Sequence, residues 1–197
     1  MRHVKQDGTN NNVIITLHGT GGSATDLFQI AQYIDKDATL IGFQGEVIEQ
    51  GMARYFERNN DGSFNLRSLA EATYDLRDSI NDVIEKHNLQ EAHITLMGYS
   101  NGANLAQSYF KEFENTPINL ALLYHPSVTK ADERFKAQKD LRVLVTSGAN
   151  DPYISSEQFE TLTKQLEAAN IEVISFHHQY GHQLIQDELV KSKEIYG

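Results

Sequence analysis

Apolar positions along the chain fall into short unbroken runs, separated by stretches in which they recur every three or four residues. Val13-Ile14-Ile15-Thr16-Leu17, Thr39 to Phe43 (extended toward Ile48), Ala92 to Met97, Asn119 to Tyr124, Leu141 to Thr146 and Glu172 to Phe176 are runs of the first kind. Runs this short and continuous predict strands buried on both faces, as in parallel sheets. Between them the spacing is helical. Leu27, Phe28, Ile30, Ala31 and Ile34 follow a start near Ser23 to Asp26, and Leu66, Leu69, Thr73, Leu76, Ile80, Val83 and Ile84 mark one face of a helix over 66–87. Ala103, Leu105, Ala106, Tyr109 and Phe110 predict a helix over 103–113. Another starts at Ser155, where Gln158 completes a capping box and Ile154 with Phe159 forms a hydrophobic staple. The charged segment Lys130 to Lys139 predicts a short surface helix, and Gly181-His182 opens the last helix, with Leu184, Ile185, Leu189 and Ile195 inward. Six strands alternating with helices, without an internal repeat, specify an α/β fold: a mostly parallel sheet with helices on both faces.

Two stretches carry neither pattern. Residues 1–12 are polar and read as a loop or frayed start, and Glu49 to Asn65 reads as a long loop leaving the carboxyl end of the second strand.

Length and composition narrow the classes of function. At 197 residues the chain suits one domain over 1–197. Its 27 acidic against 17 basic residues give a net charge of −10, which argues against nucleic acid or an anionic membrane as partner. There is no cysteine, which removes thiolate metal sites and cysteine nucleophiles. No signal-peptide pattern stands in residues 1–12, and no apolar run approaches the ~20 residues of a membrane helix. A soluble, cytoplasmic protein is expected.

The chemistry lies where strands end. Gly98-Tyr99-Ser100-Asn101-Gly102 joins a strand directly to a helix, the setting in which G-x-S-x-G is a nucleophile elbow. By itself the pentapeptide could be a plain turn, so its partners decide. In open parallel sheets ligand sites lie beyond the carboxyl ends of the strands. His18 to Gly22, Ser100, Asp151 and His182 follow the first, third, fifth and sixth strands, and Ser, Asp, His is the chain order of α/β-hydrolase triads. A serine hydroxyl needs a neighbouring base, the role open to His182, with Asp151 to orient the imidazole. Oxyanion donors would be the backbone N–H groups of Asn101 and Thr20. Each residue has a plainer reading: Asp151 as the cap of its Asn-Asp-Pro turn, His182 as a helix cap. His177 and His178 are rival bases on the sixth strand. His178 and His182 have metal-like spacing, but Gly181 between them breaks a shared helical face, and no metal site is expected. His18 to Gly22 lacks the Gly-Lys-Ser/Thr ending of a phosphate loop. His18 is read as structuring its loop, while His125, at the end of the fourth strand, either lines the pocket or merely ends the strand.

Together, Leu17-His18-Gly19-Thr20-Gly21-Gly22, Gly98 to Gly102, Gly148-Ala149-Asn150-Asp151-Pro152 and Gly181-His182 resemble the phospholipase/carboxylesterase branch of the α/β-hydrolases. Within it the chain is similar to small bacterial carboxylesterases associated with quinone and hydroquinone resistance. The resemblance spans nearly the whole length and implies a Ser100–His182–Asp151 triad, an oxyanion hole at Thr20 and Asn101, and no cofactor. It also implies a truncated hydrolase sheet of about six strands in the order 2-1-3-4-5-6, since residues 1–12 cannot supply the two usual leading strands. The connection from His125 to Asp140 is too short for a cap domain. The expected activity is hydrolysis of small carboxylic esters through an acyl-enzyme. A thioesterase or lysophospholipase with the same triad, or a ligand-binding protein on the same scaffold, are the alternatives. The 49–65 loop brings Met52, Arg54, Tyr55, Phe56 and Phe64, either as an apolar substrate wall or as anchors of the loop itself. The sequence does not indicate an oligomeric state.

Overall fold

The computed structural model describes all of residues 1–197. Its centre is a seven-stranded sheet. The six strands read from the sequence are β2 (Asn12–Leu17), β3 (Thr39–Phe43), β6 (His93–Tyr99), β7 (Leu120–Tyr124), β8 (Arg142–Gly148) and β9 (Glu172–His178). They run parallel in the order β3-β2-β6-β7-β8-β9, the order expected. Every residue of β7 is buried, as a strand covered on both faces requires.

The seventh strand corrects the reading of residues 1–12. His3–Gln6 forms β1, antiparallel to β3 at the sheet edge, with His3 opposite Phe43. Its burial alternates residue by residue, and Val4 stays 45% exposed. An edge strand with one partner needs little apolar surface; backbone pairing holds it, so no apolar run announced it.

Helices cover both faces. α2 (Leu66–Lys86), α3 (Asn101–Glu112) and α4 (Ser156–Ala168) bury one face in a 30-residue core with Ile15, Leu96, Leu123 and Val145. α1 (Phe28–Ile34) covers the other in a 12-residue core with Ile14, Met97, Leu122 and Leu144, and α5 (Gln186–Tyr196) packs beside it. Asn65 and Ser155 cap α2 and α4 by accepting from the N–H groups of Ser68 and Gln158.

Three further boundaries differ from the sequence reading. The 49–65 segment is not a plain loop. β4 (Val47–Glu49) and β5 (Met52–Arg54) form an antiparallel hairpin around Gln50 and Gly51, both at positive φ, a pairing suited to a tight two-residue turn. No helix forms over 130–139. There Lys136 N–H donates to Phe110 O, and the Gln138 amide bonds Phe113 O and the Thr116 N–H. The segment makes one short turn of its own, Glu133 N–H to Lys130 O, and takes its other hydrogen bonds from the end of α3 and the residues that follow it. Finally, α5 begins at Gln186 rather than at Gly181-His182, which leaves residues 181–185 as a loop returning toward the sheet edge. No helix is long and apolar enough to cross a membrane.

Candidate active site

Ser100 sits at the tightest point of the chain. β6 ends at Tyr99 and α3 begins at Asn101, so one residue makes the whole turn, at φ 51 and ψ −111. A side chain in that region costs about 1–3 kcal/mol. Two glycines make the turn possible: a Cβ on Gly98 would lie 2.7 Å from Ala103 N, and one on Gly102 would lie 2.2 Å from Leu17 O. The Ser100 N–H donates to Tyr124 O on the neighbouring strand at 2.9 Å, which fixes the turn to the sheet.

The loops after β6, β8 and β9 meet in one row of hydrogen bonds. His182 Nε2 lies 2.9 Å from Ser100 Oγ, and its Nδ1 lies 2.7 Å from Asp151 Oδ2. The other Asp151 oxygen, Oδ1, accepts from the N–H groups of Tyr153 (2.8 Å) and Ile154 (3.2 Å). Burial pushes the Asp151 carboxyl up, but these N–H groups and the two histidines on it outweigh burial and hold it below the usual carboxylate range. Tyr99 OH donates to His182 O at 2.8 Å, and the Tyr99 and Tyr153 rings flank the imidazole at 5.5 and 5.0 Å. His177 plays no part here; it stacks on Phe159, 4.7 Å away.

Thr20 lies on the loop after β2, and Asn101 follows Ser100 directly at the head of α3. The Thr20 N–H donates to no other group of the protein, and Asn101 occupies the first turn of a helix, where N–H groups lack intrahelical partners. Their side chains are structural. Asn101 Oδ1 accepts from Tyr55 N–H (2.8 Å), Thr20 Oγ1 accepts from an Arg54 Nη (2.7 Å), and Gly21 N–H donates to Ala53 O (2.8 Å). One strand of the hairpin and the residue after it therefore fasten both candidate oxyanion donors. Nothing in the sequence pairs Arg54 with Thr20 or Tyr55 with Asn101.

The five residues read as a substrate wall separate accordingly. Phe56 is fully buried, packing edge-on against Phe64, which lies against the core at 5.4 Å between ring centres. Tyr55 is buried too, its hydroxyl donating to Phe43 O and accepting from His18 N–H. These three anchor the loop, and Arg54 is enclosed at 4% exposure. Only Met52 remains accessible, its side chain packed over Gly21. His18 acts as loop structure: Nδ1 faces Gly19 O (2.6 Å), and Nε2 accepts from Gly45 N–H (3.0 Å). Burial lowers its pKa, consistent with a neutral ring.

His125 is placed where sequence left two options. It follows β7 directly, is completely buried at positive φ, and brings Nδ1 to 3.1 Å from Asp151 Oδ2, the same oxygen that holds His182. Its neighbour on the far side, Glu188 of α5, had no signal in the sequence at all.

A parallel sheet in this strand order, with a strained serine between strand and helix and a histidine and aspartate on the following strand ends, defines an α/β-hydrolase. Residues 42–192 match the dienelactone hydrolase family, and the chain belongs to that family. It is 35% identical, over 100% of its own length and 98% of the relative's, to MhqD of Bacillus subtilis (strain 168), a protein named as a hydrolase. A carboxylesterase of Bacillus cereus superposes with a TM-score of 0.94 at 34% identity, covering 100% of this chain and 93% of that one. A carboxylesterase of Mesorhizobium loti superposes at 0.84 with 26% identity, covering 95% and 89%. The chain is thus a hydrolase of carboxylesterase-like type, as its motifs implied.

Proposed function

We propose that the protein is a serine carboxylesterase that hydrolyses small carboxylic esters through an acyl-enzyme on Ser100. The observation that carries this reading is the single row Ser100 Oγ–His182–Asp151 at 2.9 and 2.7 Å. His182 Nε2 takes the Ser100 proton as the hydroxyl attacks the ester carbonyl, and the imidazolium then protonates the departing alcohol. Water, deprotonated by the same ring, releases the acid and restores the serine. The oxyanion formed in each step meets the N–H groups of Thr20 and Asn101. No cofactor enters the scheme.

The absence of a helix over 125–140 leaves the site uncapped; Tyr153, 72% accessible, lies against the His182 ring, and the exposed Met52 packs over Gly21 on the loop after β2. That favours small or aromatic ester substrates over long acyl chains needing an enclosed channel. Intact-protein mass spectrometry after fluorophosphonate treatment tests the reading. A single adduct, lost in Ser100→Ala, is expected; an unlabelled, well-folded wild type would overturn it.

The hairpin's part can be measured separately. Arg54→Met keeps the buried volume but frees the Thr20 side chain. Kinetics on a short-chain ester should show kcat reduced about tenfold, less than the loss from deleting an oxyanion donor outright. An unchanged kcat would detach Arg54 from the reaction.

A further inference from the structure

The reaction as written uses one histidine, yet Asp151 holds two. His125 Nδ1 and His182 Nδ1 converge on the same carboxylate oxygen, at 3.1 and 2.7 Å. The opposite nitrogen of His125, Nε2, lies 3.0 Å from Glu188 Oε1 along a bent approach, so this contact is chiefly ionic. His125, Asp151 and Glu188 all have side chains with no exposure to solvent. Two carboxylates in such a place are tolerable only if something between them is positive.

Both carboxylates are built to stay ionised. Asp151 accepts from two backbone N–H groups besides the histidines. Glu188 accepts from the Thr146 hydroxyl and from Ile185 N–H (2.8 Å). A ring whose two nitrogens each face an ionised oxygen must carry a proton on both, because a neutral imidazole would turn a lone pair on one of them. The charged and titratable groups facing His125 are Asp151 beyond β8, Glu188 on α5, His178 on β9 (5.4 Å between rings), His182 (5.2 Å) and Tyr99 on β6 (6.1 Å). His178 does not compete for the positive charge. Its Nδ1 accepts from Tyr180 N–H, which leaves its own proton on Nε2, 3.5 Å from Glu188 Oε2. The same tautomer argues against a metal ion held by His125, His178 and Glu188, since the nitrogen nearest the carboxylate is already protonated.

We propose that His125 is a positioning residue: a buried imidazolium, held between Asp151 and Glu188, that shares the Asp151 charge with His182 and so sets the pH at which His182 becomes a base. Burial disfavours that charge, but Glu188 and Asp151 together outweigh burial and raise the His125 pKa. The device has a direction. A cation on the far side of Asp151 weakens the pull of that carboxylate on a proton at His182, so the base is free at lower pH than an Asp–His pair alone would allow. The proposal rests on the serine-esterase reading, because it concerns the base of that reaction.

The test is the acid limb of kcat/KM against pH, with one ester, for three proteins. His125→Asn keeps a donor toward Asp151 and tolerates the positive φ, but removes the charge. Its limb should move to higher pH by about one pH unit. Adding Glu188→Gln removes an anion from the same cluster and should bring the limb back toward wild type. A His125→Asn limb that stays in place or moves to lower pH overturns the proposal, as does a double variant whose limb fails to return. Wild type supplies a readout independent of turnover. In 15N-histidine NMR at about pH 8 the His125 ring should show both nitrogens protonated; a single protonated nitrogen overturns the proposal even if the variants do not fold. Failure of fluorophosphonate labelling would sink the esterase reading while leaving this spectrum unchanged, so the two failures can be told apart.

Discussion

Ser100→Ala should fold with an unchanged sheet and lose ester turnover by a factor of about 10⁴ or more. On the proposed mechanism the size follows from what remains: the proposed oxyanion donors of Thr20 and Asn101 are kept, but no hydroxyl stands 2.9 Å from His182. A companion measurement separates chemistry from strain. Alanine inherits the positive φ of 51, whereas glycine occupies that region freely. Thermal melts should therefore rank Ser100→Gly above Ser100→Ala by roughly 1 kcal/mol, the low end of the cost of such a conformation. Equal stabilities would mean the helix start, and not the residue, bears the turn. Substantial turnover in Ser100→Ala would move the nucleophile elsewhere.

Asp151→Asn should lower kcat by about 10⁴-fold while leaving substrate affinity close to wild type. An asparagine can still accept from the N–H groups of Tyr153 and Ile154 through its oxygen, so the loop keeps its shape. Its amide nitrogen then stands where Oδ2 did, facing His182 Nδ1 and His125 Nδ1, which are donors to the carboxylate. His182 must turn its lone pair toward the new N–H, which puts its proton on Nε2, the atom that has to receive one from Ser100. The same change deprives His125 of half its counter-charge. Steady-state kinetics at saturating ester, with KM compared, would check it. A loss of tenfold or less would mean that Tyr99 and Tyr153 hold the ring without the aspartate.

Much of this was legible beforehand because parallel strands are covered on both faces and advertise themselves as apolar runs. The six runs became β2, β3 and β6 to β9 in the order expected. Ser100, Asp151 and His182 could be placed because each lies within a few residues of the carboxyl end of such a strand, and strand ends are where open sheets gather chemistry. What stayed hidden is held by backbone pairing or by distant contacts. β1 only half-buries alternate residues, the β4–β5 hairpin is three residues a side, and 130–139 takes most of its hydrogen bonds from the end of α3 and the residues after it. Phe56 and Tyr55 show the limit from the other direction. Aromatics on a loop look alike in sequence whether they face a ligand or the core, and here both turn inward. Glu188 was beyond reach for the same reason: on an amphipathic helix a glutamate reads as solvated, and only the approach of His125 and Thr146 shows otherwise.

The separation of the row along the chain bears on when activity can arise. Ser100 and His182 stand 82 positions apart, and between them lie β7, β8 and β9, each of which must dock before the loop carrying His182 can reach back. No early, local element contains two members of the row, so if the row is the proposed catalytic one, a partly assembled chain has nothing to hydrolyse with. On the proposed mechanism, ester turnover during refolding would report completion of the sheet at its β9 edge, the step that long-range parallel pairing makes slow, and not compaction or helix formation.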